Sequence, residues 1–434
     1  MIWSRYNYLF KSEKYGYLLY NSLSNAFLHI PDKSIGFIKE IQNNPNLINE
    51  YDEKEYFQEN KIIVENDDDE IAVLKVCESI NRYTSNSLGL TIAPTLGCNF
   101  RCSYCFELNK QGSRMSTEIQ QAIVKYVKKR DFITDLSVTW YGGEPLLCMD
   151  IIEHLTKEFL SLGKRYNADI VTNGYLLSID VFRQLQKLKV YTIQITLDGL
   201  AETHNKRRPH ANTNNSFEQI INNLDTIIPI KENTDISIRV NIDKKNKNEF
   251  PELYFFLQKR YKNSVFVYPA FVENLNGTCK TSDCMQDVDT MTQYLIELYN
   301  NYGIYDQKFF PKLTYSSCMV RDLRSYVVDP LGKMYKCWND IGIKGKEVAD
   351  ITEDKIINQN LLARYLKGAD KMDSSECAVC HLYPVCSGGC PYHRLLYVYN
   401  KKQVDFCHIG KHYLEKLLEI HYDWKMKQQN SYKK

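Results

Sequence analysis

The sequence predicts an α/β protein whose central part is a partial (βα)6 barrel, with a small domain before it and a cysteine-rich domain after it. From residue 88 onward, strand-like and amphipathic helix-like segments alternate six times. Repeated strand–helix units form parallel sheets with right-handed crossovers, so six units indicate a partial barrel. Some strand candidates also alternate apolar and polar residues, which strands buried on both faces do not do. The interior of the barrel is therefore expected to be polar.

The first 85 residues predict a separate small domain. Two strand-like pieces lie within residues 15–30, a helical piece spans 35–41, and residues 61–64 indicate a closing strand. The acidic run 65–70 is expected to be a solvated linker, because blocks of like charge repel each other and stay in water.

We expect the barrel over residues 86–305, the cysteine-rich domain over 306–424 and a disordered tail over 425–434. In the barrel, Ser116 and Ser178 are placed as N-caps ahead of amphipathic segments. The strand candidates are residues 90–95, 137–141, 169–173, 193–198, 236–242 and 265–270.

The fifth strand candidate shows why the barrel interior should be polar. Its isoleucines and Val240 share one face, whereas Ser237, Arg239 and Asn241 share the other. Residues 193–198 divide in the same way. Because helices would cover the apolar face, the polar face is expected to look inward and to hold a polar ligand. An antiparallel sheet with one wet face is the alternative, and the intervening helices fit it poorly.

Charge and cysteine content narrow the classes of function. The net charge is +2, from 55 basic and 53 acidic residues, which gives no electrostatic argument for a nucleic-acid or membrane partner. The N-terminus has no signal-peptide pattern and no run is long enough to cross a membrane, so a cytoplasmic protein is expected. In such a chain, 14 cysteines indicate metal or cluster ligation rather than disulfides.

Three cysteines lie on one short loop after the first barrel strand. Cys98, Cys102 and Cys105 have the spacing C-x3-C-x2-C. Three thiolates this close can bind three irons of a 4Fe–4S cluster and leave the fourth iron without a protein ligand. A zinc knuckle completed by a ligand from elsewhere is the alternative.

This loop resembles that of the radical S-adenosylmethionine (SAM) enzymes. In that family the amino and carboxylate groups of SAM chelate the open iron. An electron from the cluster then cleaves SAM to methionine and a 5′-deoxyadenosyl radical, which abstracts a hydrogen from the substrate. The resemblance implies that the protein binds SAM and a 4Fe–4S cluster and receives electrons from an external donor such as flavodoxin or ferredoxin.

Loops at the strand ends extend the resemblance. Gly142, Gly143, Glu144 and Pro145 follow the second strand and are similar to the family's motif for the SAM amino group. Paired glycines let a backbone approach a ligand closely.

The resemblance also implies a set of side chains around SAM. The ribose and methionine parts of SAM would be lined by Asn173 and by Asp198, which is followed by His204 and Arg207. Arg239 is a candidate for binding the SAM carboxylate. The side chains expected along the adenine are Tyr104 and Phe106. Capped loops or ion pairs in the lumen are the alternative for Asn173, Asp198 and Arg239.

A second group of cysteines occupies the last third of the chain and consists of Cys318, Cys337, Cys377, Cys380, Cys386, Cys390 and Cys407. Their order resembles that of the SPASM extension of radical SAM enzymes, which binds two auxiliary iron–sulfur clusters. Carried over by position, one cluster takes Cys318, Cys337 and Cys390. The other takes Cys377, Cys380, Cys386 and Cys407. Each cluster would join segments that are far apart in sequence. Three 4Fe–4S clusters are therefore expected in all, and a zinc ribbon at residues 377–390 is the alternative.

Some features stay open at this point. Cys279 or Cys284 could be a fourth ligand of the first auxiliary cluster; otherwise that cluster has an open iron for a substrate thiolate, which we favour slightly. No catalytic base is identified, and Glu107, Asp322 and Asp329 are only candidates.

The resemblance suggests a reaction on a peptide. The small N-terminal domain is similar to winged-helix elements that bind the leader of a precursor peptide as an added strand, although it could merely cap the barrel. We expect a maturase that cross-links a ribosomally made peptide through a thioether, C–C or C–O bond.

Two other functions are alternatives to a peptide maturase. Anaerobic sulfatase-maturing enzymes, which make formylglycine, carry a catalytic aspartate directly after the cysteine that here is Cys337. This chain has Trp338 there, and Asp340 lies two residues on. A structural zinc protein that binds nucleic acid is disfavoured by the balanced charge.

Overall fold

The computed structural model describes residues 1–105, 112–273, 283–285, 287–315 and 318–431. Phe106, Glu107 and Cys279 lie outside these ranges. Contacts divide the chain into two compact units. Unit 1 consists of Met1–Thr84, Asp287–Asp322 and Leu366–Lys434, and unit 2 of Ser85–Gln286 and Leu323–Tyr365.

The strands alternate with helices through most of the chain. In order they are β1 Ile2–Trp3, β2 Asn7–Ser12, β3 Gly16–Asn21, β4 Phe27–Ile30, β5 Ile63–Val64, β6 Ser87–Ile92, β7 Asp135–Trp140, β8 Arg165–Thr172, β9 Val190–Thr196, β10 Asp235–Ile242, β11 Phe266–Phe271, β12 Ser325–Val328, β13 Lys333–Tyr335, β14 Ala349–Asp350 and β15 Lys355–Ile356.

The α-helices are numbered in the same way. They are α1 Ile35–Asn43, α2 Lys54–Glu59, α3 Asp67–Tyr83, α4 Thr117–Lys128, α5 Met149–Ser161, α6 Ile179–Lys187, α7 Ala201–Arg207, α8 Ser216–Ile227, α9 Phe250–Tyr261, α10 Val288–Tyr302, α11 Gln359–Ala363, α12 Ser375–Ala378, α13 Pro391–Asn400 and α14 Leu414–Ser431. No helix among the described residues is both long and apolar enough to cross a membrane.

Unit 2 is built on one large sheet with the strand order β11-β10-β9-β8-β7-β6-β12-β13-β14-β15. Strands β6 to β11 are the six predicted strands, and each runs parallel to its neighbour. The predicted α/β class is therefore confirmed. Strand β12 adds to the other edge of β6 in parallel, an extension that the sequence pattern did not indicate.

The first barrel strand begins and ends three residues earlier than predicted, at Ser87–Ile92. Pro94 lacks an N–H for the ladder, so the chain leaves the sheet before it. Thr95 then forms a bridge with Arg114 instead. This early exit sets the start of the cysteine loop.

Burial follows the predicted faces of the barrel strands and helices. In β10 the residues alternate between buried isoleucine or valine and partly exposed polar side chains. The predicted helix caps are also confirmed, because Ser116 accepts from the Ile119 N–H and Ser178 from the Val181 N–H. Polar side chains of β10 are therefore available on one face of the sheet.

The first 84 residues, within unit 1, contain two small sheets. Strands β2, β3 and β4 form a three-stranded antiparallel sheet, and β1 pairs with β5. Leu19, Ile38, Ile41 and Phe57 are among the residues of a shared core. The predicted strands and the helix at 35–41 are all present in this region.

The acidic run 65–70 is not a linker, contrary to the prediction. Helix α3 begins at Asp67, and the Asn66 side chain caps it by accepting from the Asp68 N–H at 2.8 Å. Carboxylates in the first turn of a helix are stabilised by its N–H groups and dipole. Asp67 also accepts from the Arg5 N–H at 3.1 Å.

The predicted disordered tail is also helical as far as it is described. Helix α14 runs to Ser431, so only residues 432–434 of the tail lie outside the described ranges. The segment contains neither glycine nor proline, and Lys427 pairs with Asp423 one turn earlier at 2.6 Å. Such i,i+4 pairs stabilise a helix end.

Candidate functional site

The three thiols of the first cysteine loop lie together at the end of β6. Burial raises the pKa of the Cys98 thiol to about 12, and the neighbouring Cys102 thiol adds to that rise. Burial likewise raises the pKa of Cys102 to about 11, and Cys105 adds to it. Buried soft ligands that raise one another's pKa fit a site for iron, which binds them as thiolates.

Backbone hydrogen bonds fix this loop from both sides. The Gly97 N–H donates to Thr95 Oγ1 at 2.9 Å at the start of the loop. The Arg101 N–H donates to the Pro209 carbonyl at 2.9 Å, and the Ser103 N–H to the Arg207 carbonyl at 3.1 Å. The segment after α7 therefore holds the cysteines in place.

The paired glycines are required by packing between two loops. Gly142 has φ +108°, and a Cβ there would lie 2.3 Å from the Thr95 carbonyl oxygen. A Cβ on Gly143 would lie 2.2 Å from the Gly97 carbonyl oxygen. Only glycine lets this loop pack against the chain that leads into the cysteines. The sequence pattern indicated that these glycines let the backbone approach a ligand. Packing against the chain before the cysteines is a second reason for glycine at both positions.

Glu144 is fully buried and holds three segments together. Its carboxylate accepts from the Leu146 N–H at 3.0 Å, the Thr172 hydroxyl at 2.7 Å and the Asn173 N–H at 2.8 Å. Burial raises the pKa of this carboxyl group, and these donors oppose the rise. A carboxylate has about four acceptor positions, so one remains for a further donor.

A hydrogen-bond network fills the lumen beside the cysteines. The Tyr104 hydroxyl donates to Asp198, and it accepts from Arg208 Nη1 at 2.6 Å and Asn241 Nδ2 at 3.0 Å. Asp198 is fully buried and also accepts from the Asn241 N–H at 3.1 Å. Burial raises the pKa of Tyr104 well above its usual value, so the hydroxyl keeps its proton.

The other predicted lumen residues join the same network. Arg207 pairs with Asp243 at 2.5 Å and lies 3.6 Å from Asp198. Arg239 donates to Asn241 Oδ1 at 2.9 Å. His204 is fully buried, and burial lowers its pKa well below the usual value, so its ring is neutral.

Asn173 lies against the cysteine loop. Its amide donates to Asn99 Oδ1 at 2.7 Å and is 3.9 Å from the Cys98 sulfur. The structure thus brings Asn173, Asp198, Arg239 and Tyr104 to one region of unit 2. Arg208 was missed, and its position directly after Arg207 gave no separate signal.

The second cysteine group divides between the two units. In unit 1, burial raises the pKa of Cys380, and the Cys377 and Cys407 thiols add to that rise. Burial also raises the pKa of Cys386, with Cys377 and Cys380 adding to it. The four thiols predicted for one auxiliary cluster therefore lie close together.

A glycine also permits a close contact between two segments of the second cysteine group. A Cβ on Gly389, which has φ +69°, would lie 1.6 Å from the Phe406 carbonyl oxygen. The chain after Cys386 can therefore contact the segment that carries Cys407 only because residue 389 is glycine.

The other three predicted cluster ligands belong to two different units. Cys318 and Cys390 are exposed in unit 1, whereas Cys337 is buried in unit 2. Cys284 is disulfide-bonded, which removes it as a free ligand in this structure. In the described part of the chain no three His, Cys, Asp or Glu side chains are arranged as a metal-ion site. Which cysteines share a cluster stays a prediction.

Comparison with known proteins identifies the barrel. Residues 92–257 match the Radical SAM superfamily. The cysteine-type anaerobic sulfatase-maturating enzyme of Clostridium novyi is 24% identical over 338 residues, covering 70% of this chain and 88% of that protein. The radical SAM cyclopropyl synthase TigE of Paramaledivibacter caminithermalis is 23% identical over 430 residues, covering 88% of this chain and 81% of TigE.

Solved structures show the same fold. The enzyme anSMEcpe with bound AdoMet and the Cp18Cys peptide has a TM-score of 0.60 at 18% identity, covering 80% of this chain and 99% of that one. Streptococcus suis SuiB bound to its precursor peptide SuiA has a TM-score of 0.52 at 16% identity, covering 93% of this chain and 97% of SuiB.

The family match falls on the strands and loops that carry the cysteine loop, the glycine pair and the lumen network. The relatives found by sequence are enzymes, and the structural likeness extends beyond the barrel. Residues 92–257 therefore form a radical SAM domain, and the fold of the chain is similar to the folds of anSMEcpe and SuiB.

Proposed function

We propose that this chain is a peptide maturase that forms an intramolecular cross-link in a ribosomally made precursor peptide. The observation that carries the proposal is the extent of the match. SuiB, solved with its precursor peptide, covers 93% of this chain, and TigE covers 88%. The sulfatase-maturating enzyme of Clostridium novyi covers 70% by sequence.

The part that the sulfatase-maturating structure leaves unmatched has the size of the N-terminal domain. That structure is covered over 99% of its own length but covers only 80% of this chain. Residues 1–84, which carry the two small sheets, make up about a fifth of the 434 residues. A domain added to the common barrel needs a role of its own, and binding the leader of a peptide is the one we assign.

The three-stranded sheet of this domain offers edges for an added strand. Among the described strands, β2 and β4 each pair with β3 alone. Strand addition supplies main-chain hydrogen bonds for affinity and side-chain pockets for specificity. Unpaired edges of this kind support a peptide partner without naming its sequence.

The residues of unit 2 fit the cofactors of the family. Cys98, Cys102 and Cys105 would hold the cluster that binds SAM, and Glu144 has an acceptor position left for an ammonium group. Arg239 would pair with the SAM carboxylate. When bound, SAM and the clusters supply a radical that removes a hydrogen atom from the peptide and an acceptor for the electron released by bond formation.

The chain itself orients the reactants and excludes water. Tyr104, Asp198, Arg208 and Asn241 are already bonded to one another, so the lumen is organised before a ligand enters. Preorganised polar groups need little rearrangement when charge develops. The cross-link removes two hydrogens from the peptide, one as an atom and one as a proton.

Formylglycine formation is supported less well. The position after Cys337 is Trp338, whose ring lies 4.4 Å from that of Tyr141. Asp340 is fully buried and accepts from the Tyr365 hydroxyl at 2.5 Å. Neither residue offers the free carboxylate that the sulfatase-maturing resemblance requires. Asp329 is engaged as well, in a turn with Lys333 and Tyr335.

The test is a mass measurement on candidate peptides. Short peptides encoded beside this gene would be incubated anaerobically with iron-loaded protein, SAM and dithionite. A cross-linking maturase gives a peptide lighter by a pair of hydrogens, and fragmentation then locates the new bond. The matched control carries Cys98→Ala, Cys102→Ala and Cys105→Ala, and it should leave the peptide unchanged.

Other outcomes contradict the proposal in distinct ways. A product that reacts with a hydrazide contains an aldehyde and supports formylglycine formation instead. Unmodified peptides together with 5′-deoxyadenosine formation would retain radical chemistry and remove the peptide assignment.

A further inference from the structure

A buried network of charged side chains links the N-terminal helix α3 to the second cysteine group of unit 1. We call Glu78, Arg82, Asp370, Lys371 and Arg394 the charge network. Each is at most 5% exposed. Charged side chains are rarely so deeply buried unless they are paired, because moving an ion out of water costs several kcal/mol of free energy.

On the side of α3, the network consists of ion pairs. Arg82 contacts Glu78 one turn before it at 3.0 Å and also contacts Asp370. Lys371 Nζ lies 2.6 Å from the other oxygen of Glu78. Two residues of α3 are thus joined directly to the segment that precedes the cysteines.

On the other side, the same cations contact the cysteine segment. Lys371 Nζ donates to the Cys386 carbonyl at 2.5 Å and to the Tyr383 carbonyl at 3.0 Å. Arg394 Nη1 lies 3.8 Å from the Cys377 sulfur, and Arg394 Nε donates to the Ala369 carbonyl at 2.7 Å. The positive charge therefore lies next to two of the four thiols.

The charges in the network do not cancel. Three cations of the network face two carboxylates, and the buried Arg321 adds a further cation near Asp370. Arg394 itself forms no ion pair with a carboxylate in the described part of the chain. A buried guanidinium without an anion is costly. The Cys377 sulfur, 3.8 Å from Arg394 Nη1, is a candidate for that anion, because a thiol becomes negative when it binds iron.

We propose that the charge network sets the reduction potential of the cluster held by Cys377, Cys380, Cys386 and Cys407, and that Glu78 and Arg82 couple helix α3 to it. The inference rests on the proposed assignment of a cluster to these thiols. A nearby cation favours the reduced, more negative cluster, so removing it lowers the potential. Removing a nearby carboxylate raises it.

Two variants should shift the reduction potential in opposite directions, and this distinguishes an electrostatic role of the charge network from a structural one. Arg394→Gln removes a positive charge and should lower the midpoint potential. Glu78→Gln removes a negative charge and should raise it. If the network only held two segments together, both variants would loosen the same contacts and would not shift the potential in opposite directions.

The experiment is a redox titration of the full-length, iron-loaded chain followed by electron paramagnetic resonance. The SAM cluster is removed by Cys98→Ala, Cys102→Ala and Cys105→Ala, so that its signal does not overlap. The signal followed is the one that disappears on Cys380→Ala. If no signal depends on Cys380, the cluster assignment itself is wrong, which is a different result from a wrong pattern of shifts.

Two matched variants serve as controls. Arg394→Lys keeps the charge and should keep the potential near that of the parent protein. Lys411 lies 3.4 Å from the Cys407 sulfur but is exposed, so Lys411→Gln should give a smaller shift than Arg394→Gln because water screens its charge. Shifts of the same sign for Arg394→Gln and Glu78→Gln, or no shift for Glu78→Gln, overturn the proposal.

A second measurement avoids variants that fold poorly. Coupling between two sites is reciprocal, so the charge of the cluster must act back on α3. Hydrogen exchange of the α3 amides around Glu78 and Arg82 should therefore differ between the reduced and the oxidised iron-loaded protein. Equal exchange in the two states would contradict the coupling.

Discussion

The two cysteine groups of this enzyme are assembled in different ways. In unit 2, three thiols lie on one loop of eight residues at the end of β6, and the side-chain amide of Asn173 lies 3.9 Å from the Cys98 sulfur. In unit 1, four thiols come from residues 377–407, and Arg394 and Lys411 lie 3.8 Å and 3.4 Å from two of the sulfurs. The first group is held mainly by backbone contacts and has one amide and the buried cation Arg208 beside it. The second group is held by tertiary contacts and has two cations beside it.

This difference is consistent with what each group is proposed to bind. The loop in unit 2 would have to accommodate SAM, which brings its own ammonium and carboxylate groups. Its nearby carboxylates, Glu144 and Asp198, are already bonded within the protein. A cluster without a small-molecule ligand has only protein groups to set its potential. We therefore expect changes in the two regions to affect different measurable quantities.

The largest expected effect is on 5′-deoxyadenosine formation, which should respond differently to changes in the two cysteine groups. Replacing Cys98, Cys102 and Cys105 with alanine should reduce 5′-deoxyadenosine formation to the level without enzyme, because no iron is left to bind SAM. Cys380→Ala should leave some of this activity and stop cross-linking. The measurement is chromatography of 5′-deoxyadenosine, with iron content as the check on loading. Equal loss in both variants would show that the two groups are not independent.

The next largest effect concerns the glycine pair of unit 2. Gly143→Ala should lower the free energy of unfolding by about 3 kcal/mol, because its Cβ would overlap the Gly97 backbone. Gly163 also has a positive φ but has no atom within 4 Å of an added Cβ. Gly163→Ala should therefore cost only about 1 kcal/mol of backbone strain. Urea denaturation of both variants measures the difference, and similar losses would contradict the packing argument.

The free energy of unfolding should depend on pH because of one buried histidine in unit 1. Burial lowers the pKa of His421 to about 4, and its ring stacks on Phe310 with 4.2 Å between centroids. Because the folded protein binds fewer protons here than the unfolded chain, this contribution to stability is present above about pH 6.5 and is lost as the pH falls towards 4. The expected loss at pH 5 is about 2 kcal/mol.

Denaturation at pH 5 and pH 7.5 measures this effect. His421→Gln should show a weaker dependence on pH than the parent protein. An unchanged dependence in His421→Gln would contradict the assignment to this residue.

The smallest effect tests the start of α3. Asn66→Ala removes the side chain that accepts from the Asp68 N–H, and it should cost about 1 kcal/mol in unfolding free energy. Asn81→Ala, an exposed position of the same helix, should change stability little. If both variants have the same stability, the cap contributes nothing and residues 65–70 are closer to the linker that the sequence analysis expected.

Several features were predictable because they depend on local chemistry. The six parallel strands follow from alternating segments, and the caps at Ser116 and Ser178 from residue type and position. The cysteine spacing predicted three thiols close together on one loop, and their ligation of iron stays a prediction. The acidic run was misassigned because a block of carboxylates is equally consistent with a linker and with the first turn of a helix.

The sequence by itself determined the radical SAM domain, the parallel sheet and the cysteine loop, since these depend on patterns of residues along continuous segments. Only the tertiary structure decided that Gly142 and Gly143 face the backbone of the cysteine loop. It also decided that Glu78 and Arg82 reach Asp370 and Lys371 across nearly three hundred residues. Such contacts depend on which surfaces meet after folding, and no local pattern of residues encodes them.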